Sequence, residues 1–324
     1  MRITVIGGGV GCARFVLGLR ELIRREGTGD SIDVVVNTAD DWWVSGLRIS
    51  PDHDSLLYAL AGVNDTVRGW GRADETERVA RELHTWGTAP EWFTLGDLDL
   101  GTHIARSAWL RGGESVSEVY RRLAARWDLG ATLHPATDTE IDTQVITDEG
   151  RMHFQEWWVK HRSQIAARGF EQLNIAGAVP SEGAREAITN ADVVLLAPSN
   201  PVVSIGPVLA VPGMRDLLRS ARARVVGVSG IIDGSVVRGM ADACLSAIGV
   251  DTSARAVAEH YGARSSGGIL DGWLVDETDA AAVDPLIAAG ITTRAVPLWL
   301  RDAASSAQVA RDAVGLARQA SELT

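Results

Sequence analysis

Ile3-Thr4-Val5-Ile6-Gly7-Gly8-Gly9-Val10-Gly11 decides the fold. A short apolar run ends directly in glycines, and residues 13–25 then repeat apolar side chains at helical spacing, so the segment reads as strand, glycine loop, helix. Residues 32–36 form a second apolar run that passes into Asn37-Thr38-Ala39-Asp40-Asp41, polar residues where the carboxyl edge of a parallel sheet would lie. Further on, residues 193–197, 224–229, 272–275 and 292–296 read as buried strands with helical segments between them. The expected fold is α/β, a Rossmann-like and mostly parallel sheet with helices on both faces and a helical insertion.

That insertion is placed at about 54–133 of a single domain spanning 1–324, with helices near 75–86, 102–111 and 115–127. After it, residues 144–147 and 151–154 flank Asp148-Glu149-Gly150 and read as a hairpin.

The composition is that of an ordinary globular chain, 46% hydrophobic and 23% charged. A net charge of −11 repels a nucleic-acid backbone or an anionic membrane, so neither is expected as a partner. A small phosphorylated ligand stays compatible, because local arginines, backbone N–H groups and a metal ion can hold it. The two cysteines, Cys12 and Cys244, lack metal-ligand spacing and fit a reducing compartment. With no apolar stretch of spanning length, a cytoplasmic protein is expected.

Five constellations carry candidate chemistry. Gly8, Gly9, Val10 and Gly11 can bring backbone N–H groups to an anion at a helix start, a reading favoured over a simple tight turn. It does not complete a dinucleotide fingerprint, since Cys12 and Arg14 occupy the sixth positions counted from Gly7 and Gly9 and the second strand ends in Asn37. Asp40 and Asp41, with Asp52 and Asp54 in Ser50-Pro51-Asp52-His53-Asp54, are carboxylates of the kind a magnesium ion needs, and also of the kind that cap helices. They are expected as exposed loop carboxylates. Thr102, His103 and Arg106 share one helical face and together can grip an oxyanion, or simply decorate a surface helix. In His153-Phe154-Gln155-Glu156-Trp157-Trp158 the two tryptophans cannot both face one core, so one is expected in a cleft or against the insertion. Last, Ala197-Pro198-Ser199-Asn200-Pro201 opens a proline-rich loop that offers Ser199 and Asn200 at the sheet edge.

With these motifs in this order, the chain resembles, essentially end to end, the CofD/FbiA family of 2-phospho-L-lactate transferases, and in particular its actinobacterial phosphoenolpyruvate branch. The resemblance rests on Gly7 to Gly11, Asn37 to Asp41, Ser50 to Asp54, Gly96-Asp97, Thr102 to Ser107, His153-Phe154-Gln155 and the 198–207 loop. It implies a magnesium-dependent enzyme that joins an enolpyruvyl-phosphate or 2-phospholactate group, carried on a guanosine-diphosphate-activated donor, to the terminal ribityl hydroxyl of Fo (7,8-didemethyl-8-hydroxy-5-deazariboflavin). The products would be (dehydro) coenzyme F-420-0 and GMP. The family pattern makes Asp40 and Asp54 the catalytic and metal-binding residues. It makes Gly8 to Gly11, Asn37, Asp41, Asp52, Thr102, His103, Arg106, Ser199 and Asn200 the substrate-binding ones. A homodimer is expected by the same resemblance. Two departures stand out: Gly230 and Asp233 in Val228-Ser229-Gly230-Ile231-Ile232-Asp233, and Thr94 where archaeal members carry a basic residue.

Two other readings compete. A related family of similar fold binds uridine-diphospho-sugars without catalysis, and the Ser-Pro-Asp-His-Asp segment argues for the transferase over it. An NAD-dependent dehydrogenase is weakened by the incomplete fingerprint.

Overall fold

In the computed structural model, which describes residues 1–322, the first apolar run is β1 (Arg2–Gly7), and the chain turns at Gly8 into α1 (Gly9–Glu26). Next come β2 (Ser31–Val36), a short hairpin of β3 (Trp42–Val44) and β4 (Leu47–Ile49), and α2 (Pro51–Ala61). Three more helices, α3 (Arg78–Thr85), α4 (Asp97–Arg111) and α5 (Val116–Ala124), lead to β5 (Thr132–Pro135). An antiparallel sheet follows, made of β6 (Asp142–Thr147), β7 (Gly150–His153) and β8 (Ala167–Leu173). The chain continues through β9 (Val193–Leu196), β10 (Arg224–Val228), the ribbon β11 (Ile231–Ile232) and β12 (Ser235–Val236), β13 (Gly272–Val275) and β14 (Thr292–Ala295). A C-terminal helix, Ala303–Glu322, closes it.

Seven strands build the main sheet in the order β14-β13-β10-β9-β1-β2-β5, and every pairing in it is parallel. Both faces are covered, and the inner strands β1, β9, β10 and β13 therefore read as largely apolar runs. In β1, Ile3 and Val5 join Phe15, Val16 and Leu19 of α1 in one core, while Ile6 joins Val35, Val194 and Leu196 in the other. The two-residue alternation thus places both sets of side chains away from water. Six of the seven main-sheet strands fall where the sequence places them; the seventh, the edge strand β5, was not expected, because its half-exposed Thr-Leu-His-Pro carries no apolar run.

The order of strands fixes where a ligand can sit. From β1 the chain moves outward to β2 and β5, then returns to the other side of β1 as β9 and moves outward again. The chain therefore leaves β1 and β9 in opposite directions across the sheet, and a crevice opens at the carboxyl edge beside them. Residues between β2 and β5 pass over that same edge as α2 to α5. One of these helices begins earlier than the residue pattern suggested, at Asp97 and not Thr102, because Asp97 and Asp99 complement the partial positive charge of its first turn.

Candidate functional site

A cleft of about 810 Å³ opens at this switch point, and its wall includes Gly8, Gly9, Val10, Gly11, Asp40, Asp52, Asp54, His103, Ser199 and Asn200. Ten of the residues singled out in the sequence thus meet in one place although they come from five separate segments. Asn37, Asp41, Thr102 and Arg106 do not reach the surface of the cleft; they are buried behind it and hold the residues that do.

The glycine loop is shaped by a carboxylate. A Cβ on Gly8 would stand 2.0 Å from Asp52 Oδ2, so only glycine lets the first turn of α2 close on the start of α1. Gly8 is extended, at φ −166°, and the requirement is for space and not for an unusual backbone. On its other side the Gly8 N–H donates to Ser199 Oγ at 3.3 Å, and the Ser199 hydroxyl donates to the Gly8 carbonyl at 2.9 Å. These bonds lock the loop after β1 to the loop after β9. The Asn200 side-chain Oδ1 in turn accepts from Val202 N at 2.9 Å and Val203 N at 3.2 Å, which caps the turn that follows.

Two acidic clusters line the cleft. In the first, Asn37 donates from Nδ2 to Asp52 Oδ2 at 2.9 Å and to the Val203 carbonyl at 3.1 Å. Burial pushes Asp52 up to about 6 despite hydrogen bonds from Asn37 and Ser204. Burial, and then the nearby Asp52 charge, hold Asp40 well above the usual carboxylate range. Behind them the Ser50 hydroxyl donates to Asp41 Oδ2 at 2.6 Å, and burial pushes Asp41 up to about 7 against the pull of Arg48 and Ser50.

The second cluster is organised by Arg106. Its guanidinium NH2 donates to Asp54 Oδ1, and its NH1 lies 2.9 Å from His103 Nδ1. Asp54 Oδ1 is also 3.0 Å from His53 Nδ1. Burial opposes ionisation of Asp54, but Arg106, His53 and His103 overcome it and hold the carboxyl well below its usual range. His103 Nε2 is 3.1 Å from Asp99 Oδ1, which also accepts from the Tyr58 hydroxyl at 2.6 Å. Asp54, Asp99 and His103 offer ligand-type atoms that all lie within 4.8 Å of one another.

Asp40 and Asp54 are therefore neither exposed nor neighbours in one cluster: they are 4% and 5% exposed, and their electrostatic partners differ. What they share is an unmet need. Asp40 Oδ1 and Asp54 Oδ2 are buried and accept no hydrogen bond among the described residues. Buried carboxylate oxygens without donors suit a hard, oxygen-seeking cation such as magnesium, so each of the two aspartates has the chemistry of a ligand to that ion.

Aromatic residues form the remaining wall. Trp157 is 0% exposed, with its indole N–H donating to the Ile165 carbonyl at 2.7 Å, whereas Trp158 lines the cleft. The adjacent pair divides between core and cleft, as its spacing requires. Trp92 and Phe93 also line the cleft and are backed by Trp42, whose ring stacks on Trp92 at 5.7 Å and on His153 at 5.1 Å. Trp70, Trp92, Phe93, Tyr58 and Asp99 were not singled out in the sequence. For Asp99 a signal existed, since it precedes His103 by one helical turn.

Comparison with known proteins agrees with this geometry. The family described as "2-phospho-L-lactate transferase CofD" matches residues 3–292. A "Phosphoenolpyruvate transferase" of Nocardia farcinica is 48% identical over 323 residues, covering 98% of this chain and 95% of that one. Another of that name, from Thermobifida fusca, is 48% identical with 99% of each chain covered. Among solved structures, a member of the upf0052 family from Bacillus halodurans superposes with a TM-score of 0.61 over 96% of this chain and 99% of its own, at 18% identity, and so shares the fold. With a family match that runs across both halves of the sheet and takes in all of the cleft but residues 298–301, the chain belongs to the 2-phospho-L-lactate transferase CofD family.

Proposed function

We propose that the chain transfers an enolpyruvyl-phosphate (or 2-phospholactate) group from a guanosine-diphosphate-activated donor to the terminal ribityl hydroxyl of Fo, with magnesium, as a cytoplasmic homodimer. The observation that carries this reading is the pair of orphaned buried oxygens, Asp40 Oδ1 and Asp54 Oδ2, on the wall of a cleft that also holds a glycine loop and an aromatic face. In the reaction the ribityl oxygen bonds to the phosphorus that bears the enolpyruvyl group. The bond from that phosphorus to the GMP oxygen breaks, and the hydroxyl proton is released. Such transfers depend chiefly on positioning and on neutralising charge. Asp40 and Asp54 would hold the ion, whose contribution when bound is to neutralise the diphosphate and the departing GMP.

The protein's own groups supply the rest. Backbone N–H groups at the start of α1 favour phosphate oxygens, and α1 has no side-chain cap that would satisfy them. Trp158, Trp92 and Phe93 offer ring faces for a planar deazaflavin. The Arg106 pair fixes the orientation of Asp54, so its free oxygen is aimed without rearrangement.

Calorimetric titration with GMP and with a uridine-diphospho-sugar, each with and without magnesium, tests the reading. Guanosine preference that strengthens with the ion is expected. Preference for the uridine ligand would favour a sugar-nucleotide-binding protein instead.

A further inference from the structure

The cleft wall carries three arginines, Arg14, Arg238 and Arg301, and their surroundings differ. Arg14 donates to the Leu300 carbonyl at 3.4 Å. The Arg301 guanidinium sits 5.7 Å from the Trp299 ring and acts on Asp276. Arg238 has neither an ion pair nor a side-chain hydrogen bond among the described residues.

Its place is nevertheless closely defined. Arg238 follows β12, and its NH2 group lies over Gly69 of the loop between α2 and α3, where a Cβ would come within 2.4 Å of that nitrogen. The next residue, Gly239, has φ +84° and seats its backbone on Trp158, with a Cβ there 2.9 Å from the indole. Loops from opposite sides of the cleft thus converge on the guanidinium, with Trp70 and Trp158 beside it on the wall. The Trp70 loop is itself anchored: Arg68 NH2 donates to the buried Glu75 at 2.7 Å, and the Arg68 guanidinium covers the Trp70 ring at 4.5 Å.

Arg238 is exposed at the rim of the cleft, and a planar cation there that has no ion-pair partner among the described residues is free to receive an anion. None of the nearby acids neutralises it: Asp54 is paired with Arg106, Asp52 with Asn37, and Asp40 has no ion pair with it among the described residues. A ligand rich in phosphate and carboxylate therefore needs a cation from elsewhere on the wall.

We propose that Arg238 is the oxyanion receptor for the transferred group, taking paired carboxylate or phosphate oxygens through its forked N–H edge. The inference rests on the transfer reading above for the identity of the ligand, though not for the presence of the receptor. The fork is what matters: lysine keeps the charge but cannot present two parallel donors.

The test compares wild type, Arg238→Gln and Arg238→Lys. Calorimetry with phosphoenolpyruvate, inorganic phosphate, pyruvate and GMP is run beside the KM for the guanylylated donor. Arg238→Gln is expected to weaken phosphoenolpyruvate and raise the donor KM by about 10- to 100-fold, with Arg238→Lys between and GMP within about twofold of wild type. A parallel loss for inorganic phosphate identifies the phosphate as the bound group, and one for pyruvate identifies the carboxylate. Unchanged phosphoenolpyruvate affinity in Arg238→Gln overturns the proposal, and so does an equal loss for GMP. If wild type binds phosphoenolpyruvate through Arg238 but makes no product from the guanylylated donor, the transfer reading fails and the receptor stands.

Discussion

Arg106 and Asp54 form an ion pair closed off from water, with 1% and 5% of the two residues exposed. Two charges at such a site are tolerated only together, because each alone would carry an uncompensated desolvation cost. Arg106→Ala should therefore destabilise the protein by about 3–5 kcal/mol and release Asp54 from its ionised state. Arg106→Lys should recover part of the stability and less of the activity, since one ammonium cannot reach Asp54 and the His103 ring together. Urea denaturation read beside turnover measures both.

Asp40→Asn and Asp54→Asn should each reduce turnover by at least about 100-fold, the upper end of what residues behind a metal site contribute. Their stabilities should part company. Asp40→Asn removes a buried carboxyl crowded by Asp52 and should leave the fold as stable or more so, whereas Asp54→Asn strands Arg106 and should weaken it. Equal turnover to wild type in either variant would remove that residue from the ion site.

Gly8→Ala tests the contact between the glycine loop and α2. The added methyl would overlap the Asp52 carboxylate, so a loss of about 1–3 kcal/mol is expected, with weaker donor binding. Gly8→Ala combined with Asp52→Ser should recover stability without recovering activity.

His153 gives a dependence on pH. Burial first, and then the Arg48 charge, lower it to about 4, from an ordinary value of 6.5. The unfolded chain takes up the proton at higher pH than the fold does, so stability rises with pH across this window. The contribution is complete above about pH 6.5, is lost as pH falls toward 4, and amounts to about 3 kcal/mol. His153→Asn keeps an acceptor near the Gln155 N–H, and should remove this slope when its unfolding free energies are compared with those of wild type from pH 4 to 7.

Much of this architecture was legible in the sequence because it is local. The apolar run of β1 stops at glycines, and the inner strands β1, β9, β10 and β13 are buried on both faces, so hydrophobic periodicity finds them, whereas the half-exposed edge strand β5 escapes it. By contrast β8, Ala-Arg-Gly-Phe-Glu-Gln-Leu, is half-exposed and lacks a clean alternation, and it becomes a strand only through pairing with β6. The site divides in the same way. Asp40, Asp52 and Asp54 were recognisable as acids near a sheet edge, but their burial was not, since it depends on Asn37 for Asp52 and on Arg106, 52 residues away, for Asp54. Arg106 itself reads as an oxyanion grip on a helix face until the fold turns that face onto α2 and pairs it with Asp54.

The central claim is tested most directly by incubating the purified protein with Fo, magnesium and freshly made enolpyruvyl-diphospho-guanosine, and following dehydro coenzyme F-420-0 and GMP by mass spectrometry. The account predicts both products in equal amounts, dependent on the donor and on magnesium, and nearly absent with Asp40→Asn. Intact donor and unmodified Fo, under conditions where the protein is folded and binds a guanosine nucleotide, would contradict it.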